Sequence, residues 1–198
     1  MLSIAKARGS SHFNSEDEEQ LLTQIKLNAP SLITQAISIE PQIKKWAELL
    51  APYSSAIFLG RGMHYPVAQE GALKLKEISY IHAECYSAGE LKHGPLALIC
   101  EDMPVVILAP FNELTDKLNS NIQEVAARKG RLFIVADQKT QLPTGITAEV
   151  IRVPYTSNGP VSTLVYAVVM QLLAYHTATV LGNDVDKPRN LAKSVTVE

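Results

Sequence analysis

Four short apolar runs, separated by stretches with helical periodicity, constrain the fold of this 198-residue sequence more than any other feature. They cover residues 56–59, 105–109, 132–136 and 150–153. Continuous apolar runs of this length, bounded by turn residues, are typical of strands buried on both faces. Strands of that kind that alternate with helices form a parallel sheet between two helical layers. We therefore expect an α/β fold, a three-layer α/β/α domain with a central parallel sheet, to which residues 83–87 add another short strand.

The segments between the strands carry helix signals. Pro66 suits the first turn of a helix over about 66–80. Another helix is predicted over about 112–129, closed by Gly130. Apolar spacing and the positions of prolines predict two or three further helices between about 16 and 51.

The window 161–181 is the most hydrophobic part of the chain. Its polar residues, among them Ser162, Gln171 and His176, make it too polar for a comfortable lipid-facing span. We interpret it as a largely buried helix that ends at Gly182.

The size of the chain fits one domain, because two cores would leave each half near the lower limit of domain size. We expect a single domain over 1–198, with a helical extension over about 1–52 and a functional C-terminal tail over about 183–198.

Charge and cysteine content exclude several classes of function. Lys and Arg number 18 against 20 Asp and Glu, a net charge of −2, so neither nucleic acid nor a membrane surface is expected as a partner. Cys85 and Cys100 are too few for a disulfide framework or a four-thiolate metal site. The N-terminus lacks the continuous apolar stretch of a signal peptide. Together these features favour a cytoplasmic protein.

The loops after the strands are the first place to look for a ligand site, because doubly wound sheets bind ligands outside the carboxyl ends of their strands. These loops include Gly60–Arg61–Gly62, Pro110–Phe111–Asn112 and Asp137. The glycines of the first loop have some likeness to a phosphate loop. A tight turn is the simpler interpretation, since neither GxGxxG nor a P-loop is present.

The predicted helix over 66–80 has a polar stripe made of Glu70, Lys74 and Glu77, at spacings i, i+4 and i+7. On spacing alone the stripe is an exposed face stabilised by ion pairs. The functional alternative is a carboxylate with a nearby ammonium group, which is suited to moving protons on and off carbon. The opposite stripe is predicted to face the core and consists of Val67, Gly71, Leu75 and Ile78.

His93 stands in the segment Gly89-Glu90-Leu91-Lys92-His93-Gly94-Pro95, where we expect a chain reversal near the surface. A lone surface histidine is usually inert, but one on a rigid loop can act as an acid or base because its pKa lies near neutrality. No second histidine has metal-ligand spacing to it, so no metal site is expected.

The last sixteen residues would ordinarily be interpreted as a frayed tail. Yet Pro188-Arg189-Asn190-Leu191-Ala192-Lys193-Ser194 differs from the composition of disordered tails, and it brings two cations, Arg189 and Lys193, close together. A desolvated lysine can form a Schiff base with a carbonyl compound.

Three segments carry a family resemblance: 60–84, 89–99 and 184–198. They closely resemble the isomerase region of the glutamine–fructose-6-phosphate aminotransferase (isomerizing) family, the glucosamine-6-phosphate synthases. The match is to the second of that region's two sugar isomerase (SIS) domains, and it covers nearly the whole chain.

The resemblance implies a role for each matching residue. Glu77 matches the base that shuttles a proton between C1 and C2 of the sugar, and Lys193 matches the lysine that forms a Schiff base with open-chain fructose 6-phosphate. His93 matches a histidine of ring opening that the neighbouring subunit supplies, which implies a homodimer. Supporting and substrate-binding positions match Lys74, Arg189 and Ala192. The resemblance implies a phosphosugar substrate and no cofactor.

The chain also departs from the family pattern. It lacks the family's glutaminase domain and its first SIS domain, so we expect these as missing partners of the same protein. The loop Pro110-Phe111-Asn112-Glu113-Leu114 has no cluster of Ser and Thr hydroxyls, which makes a second phosphate site doubtful. The isolated chain is therefore expected to be inactive.

Two other functions remain open. One is a non-catalytic SIS module that binds sugar phosphates or supports dimerisation, and the other is a different SIS phosphosugar isomerase or deglycase. A pure sensor has no need of Glu77, Arg189 and Lys193 together, which favours catalysis.

Overall fold

The computed structural model describes residue 19, residues 22–156 and residues 159–191. Its centre is a five-stranded sheet in which every strand pair is parallel. The strands are β1 (Ser55–Gly60), β2 (His82–Ser87), β3 (Pro104–Ala109), β4 (Arg131–Asp137) and β5 (Ala148–Val153). Their order is β2-β1-β3-β4-β5, one of the two common doubly wound orders. The four predicted strands and the additional short one are confirmed.

Five α-helices of eight or more residues lie in the described part of the chain. They are α1 (Ala29–Ser38), α2 (Glu40–Leu50), α3 (Tyr65–Ser79), α4 (Thr115–Ala126) and α5 (Pro160–Val180). A π-helical turn, Gln24–Asn28, precedes α1, and 3-10 turns cover Gly62–His64, Ala88–His93 and Pro95–Leu98. The helix predicted over about 66–80 is α3, and the upstream helical prediction is confirmed by α1 and α2.

The predicted bounds of α4, about 112–129, are too wide at both ends. At its start, the Asn112 side chain accepts a hydrogen bond from the Leu114 N–H at 2.8 Å, and the Asn112 N–H donates to the Thr115 hydroxyl at 2.9 Å. These bonds hold the backbone in a turn rather than a helix. At its end, Lys129 has φ of 61°. The left-handed residue that ends the helical segment is therefore Lys129 and not the predicted Gly130.

The helices divide into two layers, each with its own apolar core. α1, α2, α3 and α5 cover one face of the sheet, where side chains such as Trp46, Phe58 and Tyr166 are buried. α4 and the 3-10 turns after β2 cover the other face, around residues such as Leu91 and Ile122. The predicted three-layer architecture is confirmed.

α5 is the one helix of the described residues that is long and apolar enough to cross a membrane, by length and composition alone. In this fold, half of its apolar window is buried inside the protein. Its inner side chains, among them Val169 and Leu173, belong to the core beneath α1, α2 and α3. The prediction of a largely buried helix is right for this inner side only, because Leu164 and Tyr175 on the outer side are 42% and 46% exposed.

Candidate active site

The turn after β1 sets where α3 starts, and its glycines have a steric explanation. A Cβ at Gly60 would overlap the backbone of His64 and Tyr65, and Gly62 has φ of +57°. The Arg61 guanidinium donates to the Asn121 side-chain oxygen on α4 at 3.1 Å. Both glycines are thus required by a tight turn, and Arg61 is occupied by a contact within the protein. This geometry favours the tight turn over the phosphate loop.

α3 is amphipathic in the register that the sequence predicts. Gly71 and Leu75 are buried, and a Cβ at Gly71 would come within 2.9 Å of the Met170 side chain on α5. Val67 and Ile78 are half-buried and pack against the same core. The helix therefore presents its polar stripe on the side away from α5.

On that polar side, Lys74 lies between two carboxylates. Its Nζ is 2.6 Å from Glu77 Oε2 and 3.8 Å from Glu70 Oε1. The hydrogen bond to Glu77, with the negative charge of both carboxylates, raises the pKa of Lys74 despite its partial burial. Lys74 therefore stays an ammonium group at neutral pH and holds the Glu77 carboxylate in one orientation. The Glu77 side chain is 29% exposed, so solutes can reach it.

The chain after α5 returns to the end of α3. Gly182 has φ of 75°, and the Asn183 N–H donates to the Ala178 carbonyl at 3.0 Å. This is a left-handed helix end of the kind expected at Gly182. The Asn183 side chain then donates to the Ile78 carbonyl of α3, also at 3.0 Å.

A second contact fixes the tail further along. The Arg189 N–H donates to the Tyr80 hydroxyl at 2.9 Å, and the Arg189 guanidinium lies 4.0 Å from the centre of the Tyr80 ring. Up to Leu191, the tail is therefore anchored beside the helix end that carries Glu77. The sequence patterns do not indicate a role for Tyr80, and they include Asn183 only as the first residue of the tail over about 183–198. A tyrosine where a helix would usually end in glycine is the local signal at Tyr80.

Two predicted site residues, Ala192 and Lys193, lie outside the described residues. Arg189 and Glu77 are both at the same end of α3, which lies at the amino edge of the sheet because α3 runs antiparallel to β1 and β2. The loops named from the sequence as the first place to look for a ligand site lie at the opposite, carboxyl edge.

His93 lies away from this group of residues. The turn Ala88–His93 contributes Ala88 and Leu91 to the core on the α4 face of the sheet, whereas α3 covers the other face. The His93 side chain is 75% exposed, and its Nε2 lies 4.0 Å from Glu90. Within one chain, therefore, the structure does not bring His93 and Glu77 together.

At the carboxyl edge, a cavity of about 450 Å³ lies beside the loop after β3. Its lining contains two acidic residues, Glu113 and Asp116, and no Lys or Arg among the described residues. The Thr115 hydroxyl there is hydrogen bonded to the Asn112 carbonyl at 2.7 Å. A phosphate dianion needs donors and positive charge, so this loop is poorly suited to hold one.

The part of the chain that the structure describes holds no group of three or more His, Cys, Asp or Glu side chains placed to bind a metal ion. Cys85 and Cys100 are free cysteines.

The fold and the arrangement at the end of α3 define a doubly wound parallel α/β protein with a C-terminal tail returned to its third helix. Comparison with known families then makes the assignment: the chain belongs to the SIS domain family, whose pattern matches residues 49–181.

Within that family, the chain is similar to enzymes named glutamine–fructose-6-phosphate aminotransferase (isomerizing). The relative from Neisseria meningitidis serogroup B is 54% identical over 197 residues, which is 100% of this chain and 32% of the relative. The relative from Xylella fastidiosa strain 9a5c is 57% identical over 185 residues, 93% of this chain and 30% of the relative. The chain thus spans about a third of the length of these curated relatives.

A solved structure supports the same assignment. The C-terminal domain of glucosamine-fructose-6-phosphate aminotransferase from Francisella tularensis superposes with a TM-score of 0.86 at 41% identity, covering 94% of this chain and 51% of that one. The resemblance inferred from the motifs is confirmed.

Proposed function

We propose that this chain is the second SIS domain of a glutamine–fructose-6-phosphate aminotransferase and carries residues that convert fructose 6-phosphate to glucosamine 6-phosphate. The observation that carries the proposal is the return of the tail to α3. Contacts at Ile78 and Tyr80 bring the segment that leads to Lys193 to the helix end that bears Glu77. The 54% identity to a named aminotransferase supports the same conclusion.

In the proposed reaction, Lys193 attacks the C2 carbonyl of the open-chain sugar, and water leaves as the Schiff base forms. Ammonia then displaces the lysine and leaves an imine at C2. Glu77 removes a proton from C1 and returns it to C2, while the proton of the C1 hydroxyl passes to nitrogen. The products at these carbons are an aldehyde at C1 and an amine at C2.

The contacts of Glu77 suit this role. A general base must be partly accessible and held in position. The Glu77 carboxylate is 29% exposed and is held by the Lys74 ammonium group at 2.6 Å. Lys74 is thus a positioning residue in the proposal, and Arg189 contributes through its contact with Tyr80.

The proposal also includes partners. His93 is exposed and lies on the other face of the sheet from α3, so a second copy of the chain is the proposed source of the histidine at each site. A first SIS domain would hold the sugar phosphate, since the described residues that line the cavity at the loop after β3 include no Lys or Arg. A glutaminase domain would supply ammonia from glutamine. We expect the assembly to work in the cytoplasm.

The alternative of a non-catalytic module that senses sugar phosphate gains no support from this geometry. Such a sensor needs a site for the phosphate in its own fold. The described lining of the cavity at the carboxyl edge includes the Asp116 carboxylate and no Lys or Arg, a composition that does not favour a dianion.

The direct test uses a chimera, in which this chain replaces the aligned 197 residues of the Neisseria meningitidis relative. The chimera should make glucosamine 6-phosphate from fructose 6-phosphate and glutamine. Lys193→Arg should lower that rate by about a hundredfold or more, because the guanidinium group stays protonated and cannot form the Schiff base. Lys187→Arg, in the same tail, is the matched control and should change little.

The isolated chain gives the complementary result. With fructose 6-phosphate and an ammonium salt it should form no glucosamine 6-phosphate, since the proposal assigns to a first SIS domain the phosphate site that positions the reacting carbons. An inactive chimera, or equal rates for the two lysine variants, would overturn the proposal.

A further inference from the structure

Tyr80 ends α3 in a backbone conformation that a tyrosine rarely adopts. Its φ and ψ are 64° and 10°, in the left-handed region, and its N–H donates to the Lys76 carbonyl at 3.2 Å. Glycine is the usual residue at such a helix end because it has no Cβ to clash with the backbone. A tyrosine here costs free energy that glycine would avoid, so its side chain must contribute something in return.

Among the described residues, that side chain makes a hydrogen bond and a cation–π contact with the same residue of the tail, Arg189. Its hydroxyl accepts a hydrogen bond from the Arg189 N–H at 2.9 Å, and its ring faces the Arg189 guanidinium at 4.0 Å. A hydrogen bond to the main chain fixes the path of the tail, and the cation–π contact fixes the Arg189 side chain over the ring.

The tail turns immediately after this anchor. Asn190 has φ of 62°, and the Leu191 N–H donates to the Pro188 carbonyl at 3.4 Å, which closes a tight turn. Upstream, the Asp184 carboxylate accepts the N–H groups of Asp186 and Lys187 at 2.9 and 3.2 Å. The described tail is therefore a series of turns docked at Ile78 and Tyr80.

The anchor lies close to Glu77 in the structure and close to Lys193 along the sequence. Glu77 is three residues before Tyr80, about one helical turn away. Lys193 is four residues after Arg189 in the sequence. Holding Arg189 at Tyr80 therefore fixes the described start of the segment that leads to Lys193 beside the helix end that bears Glu77.

We propose that Tyr80 is a positioning residue, which anchors the C-terminal tail through Arg189 beside the helix end that bears Glu77, so that the proposed reaction depends on this anchor. The claim that the reaction depends on the anchor rests on the proposed function. The anchor itself does not, since it is a contact between described residues.

Tail cleavage by trypsin in the 198-residue chain tests the anchor without any assumption about activity. Trypsin cuts after Arg189 but not after Lys187, because Pro188 follows it. Tyr80→Asn keeps a residue that tolerates the left-handed conformation and removes both contacts. It should speed cleavage after Arg189 about tenfold, while Tyr80→Phe, which loses only the hydroxyl, should speed it about threefold.

The control is Tyr53→Phe, which removes a tyrosine hydroxyl that accepts a hydrogen bond from Arg131, at the start of β4, at 2.7 Å. Its cleavage rate should equal that of the wild type. Because Asn accepts the left-handed conformation more readily than Tyr, the relief of strain should offset the lost contacts, and Tyr80→Asn should change the melting temperature little. Unchanged cleavage in Tyr80→Asn would overturn the anchor.

Activity in the chimera tests the consequence for the proposed reaction. Tyr80→Asn should lower kcat about tenfold with KM for fructose 6-phosphate within twofold, because phosphate binding is supplied elsewhere. A purely structural role would lower the melting temperature and leave kcat unchanged. A chimera that is inactive with the wild-type chain overturns the proposed function, whereas an active chimera insensitive to Tyr80→Asn overturns the positioning role alone.

Discussion

At the scale of single residues, His64 shows how the start of α3 is fixed by burial. It is 3% exposed, its Nε2 lies 3.0 Å from the Ser162 hydroxyl of α5, and its ring meets the Tyr166 ring edge-on at 4.7 Å between centres. Burial lowers the pKa of His64 to about 4, a shift that the negative charge of Asp137 opposes only in part. The folded protein therefore holds this histidine neutral.

A loss of stability in mild acid follows from that burial. The pKa of His64 is lower in the folded than in the unfolded chain, so uptake of a proton by this histidine favours the unfolded state. The stability that comes from its burial as a neutral ring is fully present above about pH 6.5 and is lost as the pH falls toward 4. Between pH 7 and pH 5, this effect should lower the free energy of unfolding by about 2 kcal/mol. Urea unfolding at a series of pH values measures this loss.

The control variant for that prediction is His64→Gln, which keeps a polar side chain and cannot take up a proton. Its free energy of unfolding should fall less steeply than that of the wild type between pH 7 and pH 5. Parallel profiles for the two proteins would contradict the prediction.

At the scale of elements, the turn before α3 and the contact between α3 and α5 both depend on glycine, but for different reasons. Gly60 faces the backbone of His64 and Tyr65, which cannot move without displacing α3. Gly71 faces only the flexible Met170 side chain, at 2.9 Å. Gly60 is therefore required by the path of the backbone, whereas at Gly71 only the position of the Met170 side chain is affected.

The two alanine substitutions should therefore differ sharply. Gly60→Ala should lower the free energy of unfolding by more than about 2 kcal/mol. Gly71→Ala should change it by less than about 1 kcal/mol, because the gain in helix propensity offsets the displacement of Met170. Chemical denaturation of the two variants measures the difference, and equal losses would refute the steric argument.

The elements also show what the sequence could and could not predict. Strands such as β3 and β4 are continuous apolar runs, and such runs predict strands that are buried on both faces of a sheet. The ends of α4 were misplaced because Asn112 and Lys129 settle them through local hydrogen bonds and a left-handed residue. Those effects depend on geometry that a hydrophobic pattern does not record.

The candidate site divides in the same way. The stripe of Glu70, Lys74 and Glu77 follows from helical spacing, and its role came from family resemblance. The anchor between Tyr80 and Arg189 joins residues 109 positions apart. Only the folding of α5 back along α3 brings them together, so no local pattern could have predicted it.

At the scale of the whole molecule, the sheet separates two residues of the proposed site, since Glu77 and His93 belong to elements on its opposite faces. In the proposed function, His93 of a second copy completes the site. Light scattering at micromolar concentration should then give the mass of two chains for the chimera.

Mixed dimers test whether the histidine acts between subunits. Chimeras with Glu77→Gln and His93→Ala should each be nearly inactive. Unfolded together and refolded as a mixture, they should recover about a quarter of wild-type activity, since half of the dimers are mixed and each of those has one intact site. No recovery, in a mixture shown by mass spectrometry to contain mixed dimers, would refute action between subunits.

The most direct test of the central claim is the rate of glucosamine 6-phosphate formation by the chimera with Glu77→Gln, compared with Glu70→Gln. Both variants remove one carboxylate beside the Lys74 ammonium group, so a general effect of charge would appear in both. If Glu77 is the base, its variant should lose about a hundredfold or more in rate, Glu70→Gln should stay within about twofold, and borohydride should still trap sugar on Lys193. Turnover by Glu77→Gln at the wild-type rate would contradict the account.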